Sequence, residues 1–156
     1  MPKSFGPEKI GGYLFIAFFI LLSDQISKSI VVNSLRLGES TFVASIFNIV
    51  RVENRGVTFG LLSGTLQPFV FAFISFIIII VLCIWGRDNR SYRFPLCLVI
   101  SGAIGNTADR VIHKAVIDFL DFHLSVWHWP AFNIADSAIV IGVLLLFFIS
   151  YREKKI

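Results

Sequence analysis

Four apolar runs, each long enough to cross a bilayer, leave this chain few architectures. They cover about residues 10–32, 66–86, 94–112 and 134–151. A spanning helix needs ~20 predominantly apolar residues, and each run supplies them. In hydrocarbon a lone segment must satisfy its backbone amides internally, so runs this continuous predict helices. The expected fold is an all-α membrane protein with four transmembrane helices, forming a single integral membrane domain over residues 1–156. Composition agrees: 56% of the residues are hydrophobic, 17 are Phe, and the mean hydropathy is +0.80. A soluble domain of this size has too little interior to hide so much apolar surface. The first run carries Asp24 and Lys28 late and lacks a small-x-small cleavage site. It reads as a retained helix and not as a cleavable leader.

The net charge of +4 is a topology signal, and no nucleic-acid partner is expected. Lys3 and Lys9 precede the first run, Arg87, Arg90 and Arg93 fill the short link between the second and third, and Arg152, Lys154 and Lys155 follow the fourth. In a four-span chain all of these fall on one side. Arg36, Arg51, Arg55 and Lys114 fall on the other. Short loops rich in Lys and Arg stay cytoplasmic, so both termini are expected inside and the loops at about 33–65 and 113–132 outside. The first outer loop contains Thr41 to Val52, rich in β-branched and aromatic residues and bounded by Gly38-Glu39 and Asn54-Arg55-Gly56. Such a run predicts strand, here a small sheet on the outer membrane surface. The second outer loop interleaves Phe119, Phe122, Trp127, Trp129 and Phe132 with His123 and His128, a composition suited to the headgroup zone. Trp85 and Tyr92 flank the inner link in the same belt role.

With this topology the ionisable groups of the apolar runs gather at one depth. Asp24 and Lys28 lie in the outer half of the first helix, Asn106, Asp109 and Arg110 at the outer end of the third, and Asn133 and Asp136 at the outer start of the fourth. Asp118 follows the third run by a few residues. Ionisable groups at membrane depth are costly and mark functional sites. Structural readings stand beside the functional ones. Asp24 and Lys28, spaced i, i+4, pair on one helix face. Asp109 and Arg110 are adjacent, point to different faces and serve different partners. Asn133 suits an N-cap, with Asp136 in the first turn favoured by the helix dipole. Asp118 sits in an apolar stretch with no basic neighbour nearer than Lys114 and is harder than the others to assign a structural role. Asp121 is expected to be a solvated interface residue. His113, His123 and His128 lack zinc-ligand spacing, and no nucleophile elbow is visible. Cys83 and Cys97 read as small apolar fillers. No metal and no cofactor are expected.

Two carboxylates sharing a site cannot both ionise cheaply, so one keeps a proton. The ionised member can activate water, while the protonated one polarises a scissile carbonyl and donates to the leaving nitrogen. A pair titrates as a unit, and the sequence does not say whether Asp118 or Asp136 is the base.

The segments Asp24-Gln25-Ile26-Ser27-Lys28, Asn54-Arg55-Gly56-Val57-Thr58-Phe59-Gly60, Gly102-Ala103-Ile104-Gly105-Asn106-Thr107-Ala108-Asp109-Arg110, Val116-Ile117-Asp118-Phe119 and Phe132-Asn133-Ile134-Ala135-Asp136-Ser137 together resemble those of the bacterial lipoprotein signal peptidases, or signal peptidase II. The resemblance covers nearly the whole chain, and five segments in order are far more specific than any one alone. It implies an aspartic endopeptidase of the bacterial inner membrane. Its substrates would be diacylglyceryl-modified prolipoproteins, cut on the amino side of the lipidated lipobox cysteine. It further implies Asp118 and Asp136 as the catalytic pair and Asn54, Gly56, Asn106, Arg110 and Asn133 as substrate contacts. Asp24, Lys28 and Asp109 would be structural support, and membrane lipids and globomycin-type inhibitors would be partners. The rival reading from the residues is a small four-helix proton-coupled transporter, since buried acids also mark proton relays. Against it, transport favours polar groups near the midplane and an inverted repeat. Here the groups cluster on one side and no repeat is visible.

Overall fold

The computed structural model of the chain describes residues 8–56, 68–88 and 90–153. The expectations for Lys3, Lys154 and Lys155 and for the segment Val57-Thr58-Phe59-Gly60 lie outside these residues. Four long helices carry the fold: α1 (Glu8–Ser34), α2 (Pro68–Asp88), α3 (Arg93–Ile112) and α4 (Ile134–Glu153). Between them lie the strands β1 (Ser40–Ala44), β2 (Phe47–Asn54), β3 (Val116–Leu124) and β4 (Trp127–His128). A single 3-10 turn at Arg90–Tyr92 joins α2 to α3.

Among the described residues, α1, α2 and α4 are long and apolar enough to cross a membrane. Their outer faces present Phe15, Phe18, Phe73, Ile84, Leu144 and Phe147 without cover. An apolar surface so large and contiguous does not persist in water, and it identifies a helical membrane protein. Helix α3 is different. It is 20 residues long but carries Asn106, Asp109 and Arg110, which lower its hydropathy. It packs against each of the other three helices, so its polar groups face protein and not lipid.

The closest packing is between α3 and α4, and small residues allow it. A Cβ added to Gly102 would strike the backbone oxygen of Ala135, and one added to Gly142 would lie 2.6 Å from Val99 and 2.7 Å from the Pro95 oxygen. Ala135 and Ala138 complete the small-residue stripe on α4. Backbone approach of this kind is how helices associate where lipid offers no hydrophobic drive.

The strands form one antiparallel sheet in the order β1-β2-β3-β4. The β-rich segment expected as one run is a hairpin, broken at Ser45-Ile46 between β1 and β2. The aromatic loop expected after α3 is itself strand, pairing Val116 with Asn54 and Asp118 with Val52. Lys114 adopts a left-handed conformation (φ 59°), unusual for a side chain with a Cβ. There the chain leaves α3 and enters β3, whose first four residues are buried. Arg51 of β2 donates to the carbonyls of Val32 and Leu35 at 3.0 and 3.1 Å, which ties the sheet to the end of α1. Ile117, Phe119 and Val31 form a small apolar core between sheet and helix.

Candidate active site

At the sheet end of the bundle the interior is polar. Asp24, Lys28, Asn106, Asp109, Asp118 and Asn133 are all buried there. Buried polar groups are tolerable only when hydrogen-bonded, and each of these has its partners.

The base of the site is an ion triad. Lys28 Nζ lies 2.7 Å from Asp24 Oδ2 and 2.7 Å from Asp109 Oδ2. Asp24 also accepts the backbone N–H of Ala135 at 2.9 Å, and Asp109 accepts that of Ile117 at 3.3 Å. Gln25 bridges the same two carboxylates at 3.2 and 3.0 Å. One cation thus fixes α1 to α3, and its two anions fix the start of α4 and the start of β3. The sequence shows the i, i+4 pair on α1; only tertiary contact brings in Asp109, and Gln25 carries no signal that would single it out.

Above the triad, two asparagines link its cation to two more carboxylates. Lys28 donates its third hydrogen to Asn106 Oδ1 at 3.0 Å, and Asn106 Nδ2 donates to Asp136 Oδ1 at 2.8 Å. Asn133 Nδ2 donates to Asp118 Oδ1 at 2.7 Å, and Asn133 Oδ1 accepts the backbone N–H of Asp136 at 2.8 Å. The backbone N–H of Asn133 returns to Asp136 Oδ2 at 3.3 Å. This reciprocal pair is a capping box, with Asp136 in the place usually held by Glu. The expected cap therefore exists, and it also positions the carboxylate. Asp118, from β3, and Asp136, from α4, meet on opposite sides of one asparagine.

Asn54, from the end of β2, donates to Asp118 Oδ2 at 3.2 Å, and its own oxygen accepts the Gly56 N–H at 3.0 Å. Arg110 spans from the Asn106 carbonyl (3.2 Å) to the Gly56 carbonyl (3.1 Å). It thus joins α3 to the chain just beyond β2, and its partners differ from those of Asp109, as adjacency on a helix requires. Gly56 is buried beneath it. All ten residues singled out from the sequence fall in this one network. Burial, and then the neighbouring Asp136 charge, push the Asp118 carboxyl from its ordinary range up to about 7, against the pull of its two amide donors.

One expectation needs correction. Asp121 is not solvated: it is 5% exposed, accepts from Asn48 at 3.1 Å and contacts His128 Nδ1 at 2.8 Å. Strand pairing of Asn48 with Asp121 turns it inward, which a loop would not have done. His123 is half-buried; its ring stacks on His128 with centroids 4.9 Å apart, and both its nitrogens are shielded. Of the cysteines, Cys97 is half-buried and contacts the Tyr13 carbonyl at 3.2 Å, while Cys83 faces outward from α2.

Helices of membrane length, with Asp118 and Asp136 joined through one asparagine, fit the class of membrane aspartic peptidases. The comparisons agree. The sequence profile of the family described as Signal peptidase (SPase) II matches residues 16–152. Lipoprotein signal peptidases of Paraburkholderia phymatum and Burkholderia vietnamiensis are each 40% identical over 148 residues, covering 92% of this chain and 89% of theirs. A solved structure described as a bacterial membrane enzyme superposes with a TM-score of 0.83 at 33% identity, covering 93% of this chain and 90% of that one. A second, likewise described, gives 0.77 at 35% identity, covering 89% of this chain and 92% of that one. The chain belongs to the signal peptidase II family. As such it is a multi-pass bacterial membrane enzyme that acts on lipoprotein substrates, and nothing in it favours the transporter reading.

Proposed function

We propose that the chain cleaves diacylglyceryl-modified prolipoproteins on the amino side of the lipidated cysteine, with Asp118 and Asp136 as the catalytic pair. The observation that carries this is the meeting of the two carboxylates at Asn133, 2.7 Å from Asp118 and bonded reciprocally to Asp136. One ionised carboxylate takes a proton from water, and the protonated partner polarises the scissile carbonyl and protonates the leaving nitrogen. Arg110 and the amides of Asn54, Asn106 and Asn133, with the backbone at Gly56, hold an extended peptide against the pair. Asp24, Lys28 and Asp109 support the site from below.

In this reading α3 is a fourth span, both termini are cytoplasmic, and the whole chain is one integral membrane domain. The site then lies near the periplasmic leaflet of the inner membrane, where it meets both the acyl chains of the substrate and water. The sheet and its aromatic rim (Trp127, Trp129) rest in the headgroup zone and cover the substrate. Globomycin-type peptides occupy the same cleft.

The test is cleavage of a lipobox peptide with and without diacylglyceryl on its cysteine, by the native protein, Asp118→Asn and Asp136→Asn, each checked for folding. Only the lipidated peptide is cut, and each substitution lowers the rate by at least about 10²-fold. Undiminished cleavage by either folded variant removes that residue from the catalytic pair.

A further inference from the structure

We infer that Lys28 is a positioning residue: acting through Asn106, it commits Asp136 to the role of general base and leaves the shared proton on Asp118. This deepens the paired-aspartate reading above and rests on it.

The argument starts from what each group can donate. An ammonium has three donors and no acceptor, so the Asn106 atom 3.0 Å from Lys28 Nζ is the amide oxygen. That fixes the amide's orientation and turns its NH2 toward Asp136 Oδ1, 2.8 Å away. The other Asp136 oxygen faces the backbone N–H of Asn133 at 3.3 Å. Both Asp136 oxygens therefore accept, and neither has an acceptor of its own to favour a proton there. Asp136 also sits in the first turn of α4, where the helix dipole favours an anion.

Lys28 cannot turn away from this task. Asp24 and Asp109 hold it at 2.7 Å each, and all three side chains are almost wholly buried. Asp118 is held at similar distances but without a relayed cation or a helix terminus. It accepts from Asn133 at 2.7 Å, its second oxygen meets Asn54 at 3.2 Å, and it stands on a strand. A proton on Asp118 Oδ2 displaces one neutral amide contact, whereas a proton on Asp136 would oppose both the relayed Lys28 charge and the α4 terminus. The charged groups facing the pair are Asp24 and Lys28 from α1 and Asp109 and Arg110 from α3. Of these, only Lys28 is relayed to one carboxylate by a fixed amide.

The chemistry then runs in one direction. Asp136 takes a proton from water as the water oxygen bonds to the scissile carbonyl carbon. The Asp118 proton, hydrogen-bonded to the carbonyl oxygen, passes to the leaving nitrogen as the C–N bond breaks. The proton held by Asp136 then moves to Asp118 and resets the pair.

A purely structural Lys28, serving only to neutralise Asp24 and Asp109, predicts a different outcome in a pH-resolved experiment. Single-turnover cleavage of a diacylglyceryl lipobox peptide is measured across pH for the native protein, Lys28→Met, Asn106→Ala and the double variant. Asn106→Ala leaves the ion triad whole, so it reports even if Lys28→Met does not fold. The relay predicts that each single variant loses about 10²-fold or more in kcat, beyond any change in KM that follows from losing Asn106 as a substrate contact. It also predicts that the acid limb moves to higher pH by about one unit or more, and that in Asn106→Ala, which keeps the Lys28 charge, the alkaline limb stays. The double variant is no worse than the worse single one, because both break the same link. A folded Asn106→Ala with an unmoved acid limb overturns the inference, as does a displaced alkaline limb in that variant, a raised KM at constant kcat, or losses that multiply in the double variant. Full cleavage by Asp136→Asn is a separate result, which sinks the paired-aspartate reading itself.

Discussion

Asp118 pays for its position in ionisation. Its carboxyl, pushed up to about 7 by burial and by Asp136, gives up its proton less readily in the folded protein than in an unfolded chain. The folded state therefore binds the extra proton, and stability falls as pH rises from the ordinary carboxylate range through about 7. Below that range both states are protonated and the penalty vanishes. The full effect is on the order of a few kcal/mol. Asp118→Asn removes the titration, so its thermal midpoint in detergent should change less between about pH 5 and about pH 8 than that of the native protein. Equal slopes for the two proteins contradict the assignment. The same residue shows where sequence reasoning reached and where it stopped. An acid in Val116-Ile117-Asp118-Phe119 was visibly out of place. That Asn54 and Asn133 hold its two oxygens depends on three elements meeting, which no local pattern encodes.

Among the elements, α3 and α4 set the Asn106–Asp136 contact, since Asn106 rides on one and Asp136 on the other. Gly102 sits four residues, about one turn, before Asn106, and its neighbour across the interface is the Ala135 backbone, next to Asp136. A methyl group there cannot be absorbed by a flexible side chain. Gly102→Ala should separate the helices, cost about 1–3 kcal/mol and lower kcat by lengthening the Asn106–Asp136 contact. Thermal unfolding and cleavage rate measured on the same preparation check both effects; a variant with native stability and native rate contradicts the packing argument. The helices themselves were legible from their hydropathy. Strand β3 was not, because its bulky, alternating residues also suit a membrane-surface loop. Pairing with β2 decided between the two, and turned Asp121 inward as it did so.

At the scale of the molecule, the distribution of Lys and Arg sets an orientation that labelling can read. In a background lacking Cys83 and Cys97, Ser125→Cys lies at the exposed turn between β3 and β4, and Ser91→Cys at the exposed link between α2 and α3. A membrane-impermeant maleimide applied to spheroplasts should label the first and spare the second, with both labelled after lysis. The reverse pattern inverts the proposed topology and moves the site to the cytoplasmic face.

The sequence by itself determined that this chain lives in a membrane and where its helices run, and it singled out nine polar residues and Gly56 as site candidates. Hydrophobic length and the rarity of charge at that depth are local properties, and the five segments carry the resemblance without any coordinates. Tertiary structure alone decided how those residues are arranged. It placed Asp109 as the second anion on Lys28, turned the Asn106 amide toward Asp136 and put Asn133 between the two carboxylates. Hydrogen-bond direction is a property of groups brought together across four elements, so it exists only once the chain has folded.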